Sequence, residues 1–283
     1  MDVLAHFATI ATTRKPLWVD GAAYSRRVLN KERAWPWHDT AAFVALLRKQ
    51  QQLLQSDVLT IDFSDYYHTV FTTQAALVTA MGARSRANYA LKTLLEDAAS
   101  IERLAELVGA VAQVKAATPL VIVCPSPKLW SETAVRAAQS DGQAELGWPE
   151  VERAAVYVAG FLRVFSQVGV DAVLIVDGAN DGPSNAEELA CYAPVLNVAG
   201  HYRWTTGLYQ RGMMGSLPAG ALGFVINDRP IDAQCFGAVV DELLWGAAAA
   251  PARPTANFYF TTVPADAEPE RVLARLAYAR APV

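Results

Sequence analysis

One feature constrains this chain above all others: short, mostly apolar runs alternate with longer segments of helical spacing from one end to the other. Leu17–Asp20, Val58–Phe63, Leu120–Cys124, Val173–Asp177, Val195–Val198, Gly223–Asn227 and Phe258–Thr261 each join β-branched or aromatic residues into such a run. Strands covered on both faces have this composition, because neither face meets water. Between them, Thr40–Gln55, Ala98–Lys115, Pro149–Val168 and Asp232–Trp245 repeat apolar residues every three or four positions, which gathers them on one side of a helix. Helices of this kind cover the faces of a parallel sheet. Trp148-Pro149-Glu150 and Glu268-Pro269-Glu270 place proline and then an acid in a first helical turn, and Pro183–Glu188 carries the same kind of start, where the helix dipole favours negative charge.

Seven strands are legible, and Met213–Leu217 offers a weak eighth. Eight βα units over one domain, residues 1–283, predict an α/β fold of the (β/α)8 barrel type, which typically takes ~250 residues. An open doubly wound sheet is the competing arrangement. It fits less well, since no G-x-G-x-x-G or G-x-x-x-x-G-K-[ST] follows any strand to cradle a phosphate. Ala247–Pro254 is the one linker-like stretch, and it reads as a connection across the barrel edge.

Composition removes whole classes of function. With 53% apolar and 18% charged residues, the chain holds too much apolar surface to stay disordered. The net charge is −4 and no basic run occurs, so nucleic acid is not an expected partner. No apolar stretch approaches the ~20 residues that span a bilayer. The first residues lack a basic region ahead of an apolar one, so a cytoplasmic address is expected. Cys124, Cys191 and Cys235 are odd in number and share no metal-binding spacing, as buried free thiols do.

In a barrel, chemistry gathers where the strands end. Polar residues are dense there: Asp20, then Asp62 and Asp65 with Tyr66, Tyr67 and His68, then Lys128 and Trp130, then Asp177, then His201 and Arg203, then Asp228 and Arg229. Taken singly, each has a plain structural role available. Asp62 and Asp177 suit helix caps, His201 a satisfied structural histidine, and Tyr67 and Trp130 a hydrophobic roof. Together they predict one rim where acids, a histidine and cations converge.

The stretch Ile61-Asp62-Phe63-Ser64-Asp65-Tyr66-Tyr67, running on to Met81-Gly82, resembles the uroporphyrinogen decarboxylase family, whose second strand ends in a similar Phe-Ser-Asp. Lys15–Val19 resembles that family's first strand. Pro125–Trp130 resembles its third turn and equally that of the related cobalamin-independent methionine synthases, and Asn257–Pro269 is similar to the closing strand and loop of both. The resemblance implies that Asp65 is the principal catalytic acid and that the protein pairs as a homodimer. It departs in two places. Where the decarboxylases carry arginines after the first strand this chain has Val19–Tyr24, with Arg26 and Arg27 a few residues late, so a tetrapyrrole polycarboxylate is not the expected substrate. Where the methionine synthases place zinc ligands, the chain has His201-Tyr202-Arg203 and Thr261-Thr262, and arginine cannot ligate zinc.

These readings combine into an expected decarboxylase or related C–C lyase that uses no metal or cofactor and acts on a carboxylated small molecule. Asp65 and His201 are its expected catalytic pair. Asp20, Tyr67, His68, Lys128, Trp130, Asp177, Arg203, Asp228 and Arg229 are its expected substrate contacts. Methyl or alkyl transfer of the methionine-synthase type and a non-catalytic binding subunit are the alternatives that the same residues leave open.

Overall fold

The computed structural model describes residues 1–86, 88–139, 146–215, 217–218, 220–246 and 252–282. A short helix α1 (Val3–Ala11) leads into β1 (Leu17–Asp20), α2 (Ala22–Asn30) and α3 (Thr40–Leu54). After β2 (Leu59–Asp62) come α4 (Phe63–Thr73), α5 (Ala75–Met81), α6 (Tyr89–Leu95) and α7 (Ala98–Val114). Next are β3 (Leu120–Pro125), α8 (Pro127–Ala138) and α9 (Trp148–Leu162), which ends in a tighter turn at Arg163–Gln167, and then β4 (Ala172–Val176). The second half comprises α10 (Ala186–Ala190), α11 (Ala193–His201), β5 (Thr205–Tyr209), β6 (Phe224–Asn227), β7 (Phe236–Val239), α12 (Asp241–Trp245), β8 (Phe258–Thr262) and α13 (Pro269–Arg280). Helix starts are marked by acceptors on the first free N–H groups: Asp39, Asp62, Asp97, Ser126 and Asn185 each bond a backbone N–H of their own first turn, satisfying donors that the helix cannot. Among the described residues no helix is long and apolar enough to cross a membrane.

All eight strands are parallel and run in the order β1-β8-β7-β6-β5-β4-β3-β2. The result is a nearly closed (β/α)8 barrel. β1 and β2 share no regular ladder, and side chains close that seam. Asp57 N–H donates to the Leu17 carbonyl at 3.0 Å, Leu17 N–H donates to Asp57 Oδ2 at 2.7 Å, and Val19 N–H donates to Ser56 Oγ at 3.0 Å. Arg14 clamps the same carboxylate with both terminal nitrogens, at 2.8 and 2.5 Å. Two other strand starts use the same device: Asp171 accepts from Leu120 N–H at 2.8 Å, and Asn257 from Phe236 N–H at 2.7 Å.

Alternate residues of each strand fill the barrel. Trp18, Val121, Val123, Leu174, Phe224, Ile226, Phe258 and Phe260 form its interior, and α1 plugs the lower end through Val3 and Phe7, the Phe7 ring stacked 4.5 Å from that of Phe258. Two glycines make room for this aromatic filling. A Cβ on Gly207 would stand 2.1 Å from the ring of its cross-strand partner Phe224, and one on Gly237 2.3 Å from Phe258. Outside the barrel, the largest cluster packs α4, α6–α9 and α11 against β2–β5, and a second packs α2, α12 and α13 against β1, β7 and β8.

Three sequence expectations are corrected here. Val195–Val198 is helical, within α11, and strand five is Thr205–Tyr209. A four-residue apolar run does not separate a strand from one face of a buried helix, and Pro194 opens this helix at its first turn. Asp232–Trp245 is not one helix, since Phe236–Val239 forms β7 and only Asp241–Trp245 is helical. Met213–Leu217 is no strand among its described residues. Residues 247–251 of the linker-like stretch lie outside the described residues.

Candidate functional site

The seam between β1 and β2 is tied at its lower end and opens toward the carboxyl ends of the strands. A cavity of about 260 Å³ occupies that opening. Its floor is Val123, Leu174 and Val176 with Trp18, whose indole N–H donates to Thr60 Oγ1 at 3.2 Å. Its walls are the aromatic rings of Trp35, Trp37, Phe43, Tyr209 and Phe260. Three carboxyl groups line it, Asp20, Asp62 and Asp65, together with the amide of Gln50. The Gln50 Oε1 atom is buried and finds no hydrogen-bond partner among the described residues. No lysine or arginine is among the described residues of the lining.

Asp62 ends β2 and caps α4, its Oδ1 accepting from Ser64 N–H at 2.7 Å. Burial pushes this carboxyl up to about 7, the charge of Asp65 and then Asp20 adds to the effect, and the bonds from Ser64 oppose it. Asp20 is raised for the same reason, burial first, with Asp65 and Asp241 adding. Asp65 sits one turn further out, at the exposed rim. Its carboxyl is raised by desolvation, which His68 and Arg26 offset in part. A carboxyl held near neutrality can both give and accept a proton under ordinary conditions, the property that acid–base catalysis requires.

A second polar group stands further round the rim. Asp177, after β4, accepts both ways from Tyr192 O–H, at 2.9 and 3.1 Å, and burial pushes it up to about 6. Lys128, in the first turn of α8, pairs with Asp181 and lies 5.6 Å over the Trp148 ring. Arg211 donates to Tyr209 Oη at 2.7 Å and pairs with Asp241, which in turn accepts from Thr261 Oγ1 and Thr262 N–H at 2.9 and 2.8 Å.

The structure brings Asp20 and Asp65 into one cavity and leaves the remaining expected residues elsewhere. His201 as the last residue of α11 and Arg203 just after it both come ahead of β5, so they lie at the lower end of the barrel, opposite Asp65, and both are exposed. The cause is the strand assignment: once Val195–Val198 is helix, the residues after it fall before a strand instead of after one. Tyr67 and Trp130 are core residues, each 1% exposed, with rings 5.6 Å apart and both packed on Phe161. His68 lies outside the cavity, along a groove between α4 and α8 that Asp65 also lines. Asp228 holds the Gly212 N–H at 2.8 Å, and Arg229 is exposed. The residues missed beforehand are Trp35, Trp37, Gln50 and Tyr209. The dense Trp35-Pro36-Trp37 was the available signal, two large rings placed ahead of a helix outside any strand.

Tyr67 gives a direct test of its core position. Its hydroxyl is buried without a partner among the described residues, so Tyr67→Phe removes an unmet polar group and nothing else. Thermal unfolding should show stability unchanged or raised by up to about 1 kcal/mol. A loss of ligand binding or of activity in that variant would return Tyr67 to the site.

The zinc of the methionine-synthase pattern finds no fit here. Among the described residues no three His, Cys, Asp or Glu side chains converge as a metal site, and the candidate histidine is at the far end of the barrel.

No family model matches the chain, and no curated protein matches it. Among solved structures, it is similar to a methyltransferase from Methanosarcina mazei, with a TM-score of 0.54 and 12% identity over 98% of this chain and 99% of that one. Shared architecture along the full length, with so little shared sequence, is a likeness of fold.

Proposed function

We propose that this chain is an enzyme of group transfer, moving a methyl or other small alkyl group at the cavity between β1 and β2. The observation that carries the reading is the lining itself: aromatic walls, carboxyl groups, and no lysine or arginine among its described residues. Decarboxylation of the expected kind needs a cation to anchor the substrate carboxylate. The residues assigned to that task lie elsewhere, Lys128 paired with Asp181, Arg203 at the lower end and Arg229 exposed on the rim. Transfer of an alkyl group has no such need. It needs a dry pocket that aligns donor and acceptor, and a group that takes the proton leaving the acceptor. Asp62 is that group, and Asp65 at the rim raises its proton affinity. The full-length likeness to a methyltransferase supports the same reading over the lyase.

The test is an assay of the purified full chain with alkyl donors and thiol or amine acceptors, products followed by mass spectrometry. Turnover is expected, and Asp65→Asn should move its rising pH limb toward acid by lowering the proton affinity of Asp62. Carbon dioxide release from carboxylated compounds, with no alkyl transfer, would overturn the proposal.

A further inference from the structure

We infer that the cavity between β1 and β2 binds an organic ammonium group bearing small alkyl substituents, such as a trimethylammonium head. The inference rests on the reading of this cavity as the transfer site and names the class of molecule that it takes. Two features of the lining agree. Its charged side chains are all acids, Asp20, Asp62 and Asp65. Its walls are aromatic, with Trp35 and Trp37 each packed on Phe43, at 5.3 and 4.8 Å between ring centres, and Trp18, Tyr209 and Phe260 completing the lining.

Each feature alone has another use, but together they select by charge and shape. A carboxylate ligand would meet Asp20 and Asp62 in the cavity and Asp65 at its exposed rim, and like charges repel. A neutral apolar ligand would be held by the rings and would leave the acids unpaired, at the cost of their burial. An alkylated ammonium satisfies both sets of groups: its methyl groups contact the ring faces and its charge, spread over them, is drawn to rings and carboxylates alike. The volume of about 260 Å³ admits such a head.

The charges facing the cavity also set how binding depends on pH. Asp62 faces Asp65 on its own helix, Asp20 from β1 and the Cys124 thiol from β3, which burial keeps neutral. Asp20 faces Asp241 as well, and Asp65 faces His68 and Arg26. A cation draws these carboxyls into their ionised form, so it competes with protons and binds better as pH rises, whereas a neutral ligand prefers the protonated site.

Titration calorimetry on the full chain, with tryptophan fluorescence as a second readout, compares three probes of one shape: choline, its neutral carbon isostere 3,3-dimethyl-1-butanol, and the carboxylate 3,3-dimethylbutanoate. Choline should bind at least about tenfold more tightly than the neutral isostere, and more tightly at about pH 8 than at about pH 6, across the range in which Asp62 ionises. Asp62→Asn should weaken choline about tenfold, abolish most of that pH dependence and leave the neutral isostere no weaker. Asp20→Asn, which keeps the acceptor for Ala22 N–H, serves as the second variant should the first fail to fold. Equal binding of the neutral isostere, tighter binding of the carboxylate, or no binding of any probe would overturn the inference. Alkyl transfer from an uncharged donor with no choline binding would sink this inference and leave the transferase reading intact. Choline binding with no transfer from any donor would do the reverse.

Discussion

Replacing Asp62 by Asn should cut activity by about 10²–10⁴-fold and, at the same time, make the protein more stable in mild alkali. The sign follows from where the carboxyl titrates. In the unfolded chain it ionises near 3.8, and in the folded protein burial beside Asp65 and Asp20 moves it to about 7. The folded state therefore holds a proton that the unfolded state has released between those values, and folding is favoured by that proton. The contribution is fully present below about pH 4, declines as pH rises through about 7, and above that leaves a buried charge worth on the order of 4 kcal/mol against the fold. Asparagine never ionises and still offers an oxygen to Ser64 N–H, so the helix cap survives.

Chemical denaturation of the two proteins across that pH range should thus show curves that meet in acid and separate toward pH 8, the variant being the more stable. Asp177, which is also pushed up, to about 6, contributes a slope common to both proteins, and the difference between them isolates Asp62. Activity should fall by about 10²–10⁴-fold, the usual contribution of a positioned proton carrier. A variant that keeps near-normal turnover, or whose stability tracks the parent at every pH, would remove Asp62 from the role given to it.

A second large effect is expected at the opposite end of the same seam. Asp57 is 6% exposed, accepts from Leu17 N–H and holds Arg14 with both oxygens. Asp57→Ala leaves a buried backbone donor and a guanidinium without their acceptor, in the one place where the barrel has no strand ladder to compensate. Arg14 is about one-third exposed and water takes up its lost partner, so the cost falls mainly on the orphaned Leu17 N–H, about 1–3 kcal/mol. Denaturant unfolding should show that loss. Hydrogen exchange should show Leu17 and Val19 opening ahead of the other strands, because Val19 N–H depends on the adjacent Ser56 for its own bond. Uniform exchange across all strands would mean that the seam is not the weak point of the barrel. The two seam residues also matter for the site, since Asp20 and Asp62 stand at the open end of the strands that Asp57 and Ser56 tie together.

Much of the architecture was legible beforehand, and the reasons differ by element. β1–β4, β6 and β8 are runs of Val, Ile, Leu, Trp and Phe bounded by turns or acids, and a strand buried on both faces leaves little room for any other composition. Long helices such as α3, α7 and α9 were equally clear, because their apolar stripes extend over several turns. β5 and β7 were not. Thr205–Tyr209 and Phe236–Val239 each carry a glycine where a neighbouring phenylalanine fills the barrel, so the packing that requires them also dilutes the hydrophobic signal that would reveal them. Missing β5 displaced His201 and Arg203 by half a turn of the βα cycle, which is the full height of the barrel.

Local chemistry by itself determined that the chain would build parallel strands covered by helices, where some of those helices would begin (α3, α7, α9 and α13 among them), and that acids would follow β1 and β2. These properties depend on neighbouring residues and on periodicity, which the order of amino acids records directly. Which acids meet was decided by tertiary structure alone. Asp20, Gln50, Asp62 and Asp65 converge because β1 and β2 part at their carboxyl ends, and the proton affinity of Asp62 follows from burial there, a quantity set by residues far apart in the chain. Cations that lay close to the strand ends in sequence were drawn instead to Asp181 and Asp241, leaving the aromatic cavity to its carboxyl groups.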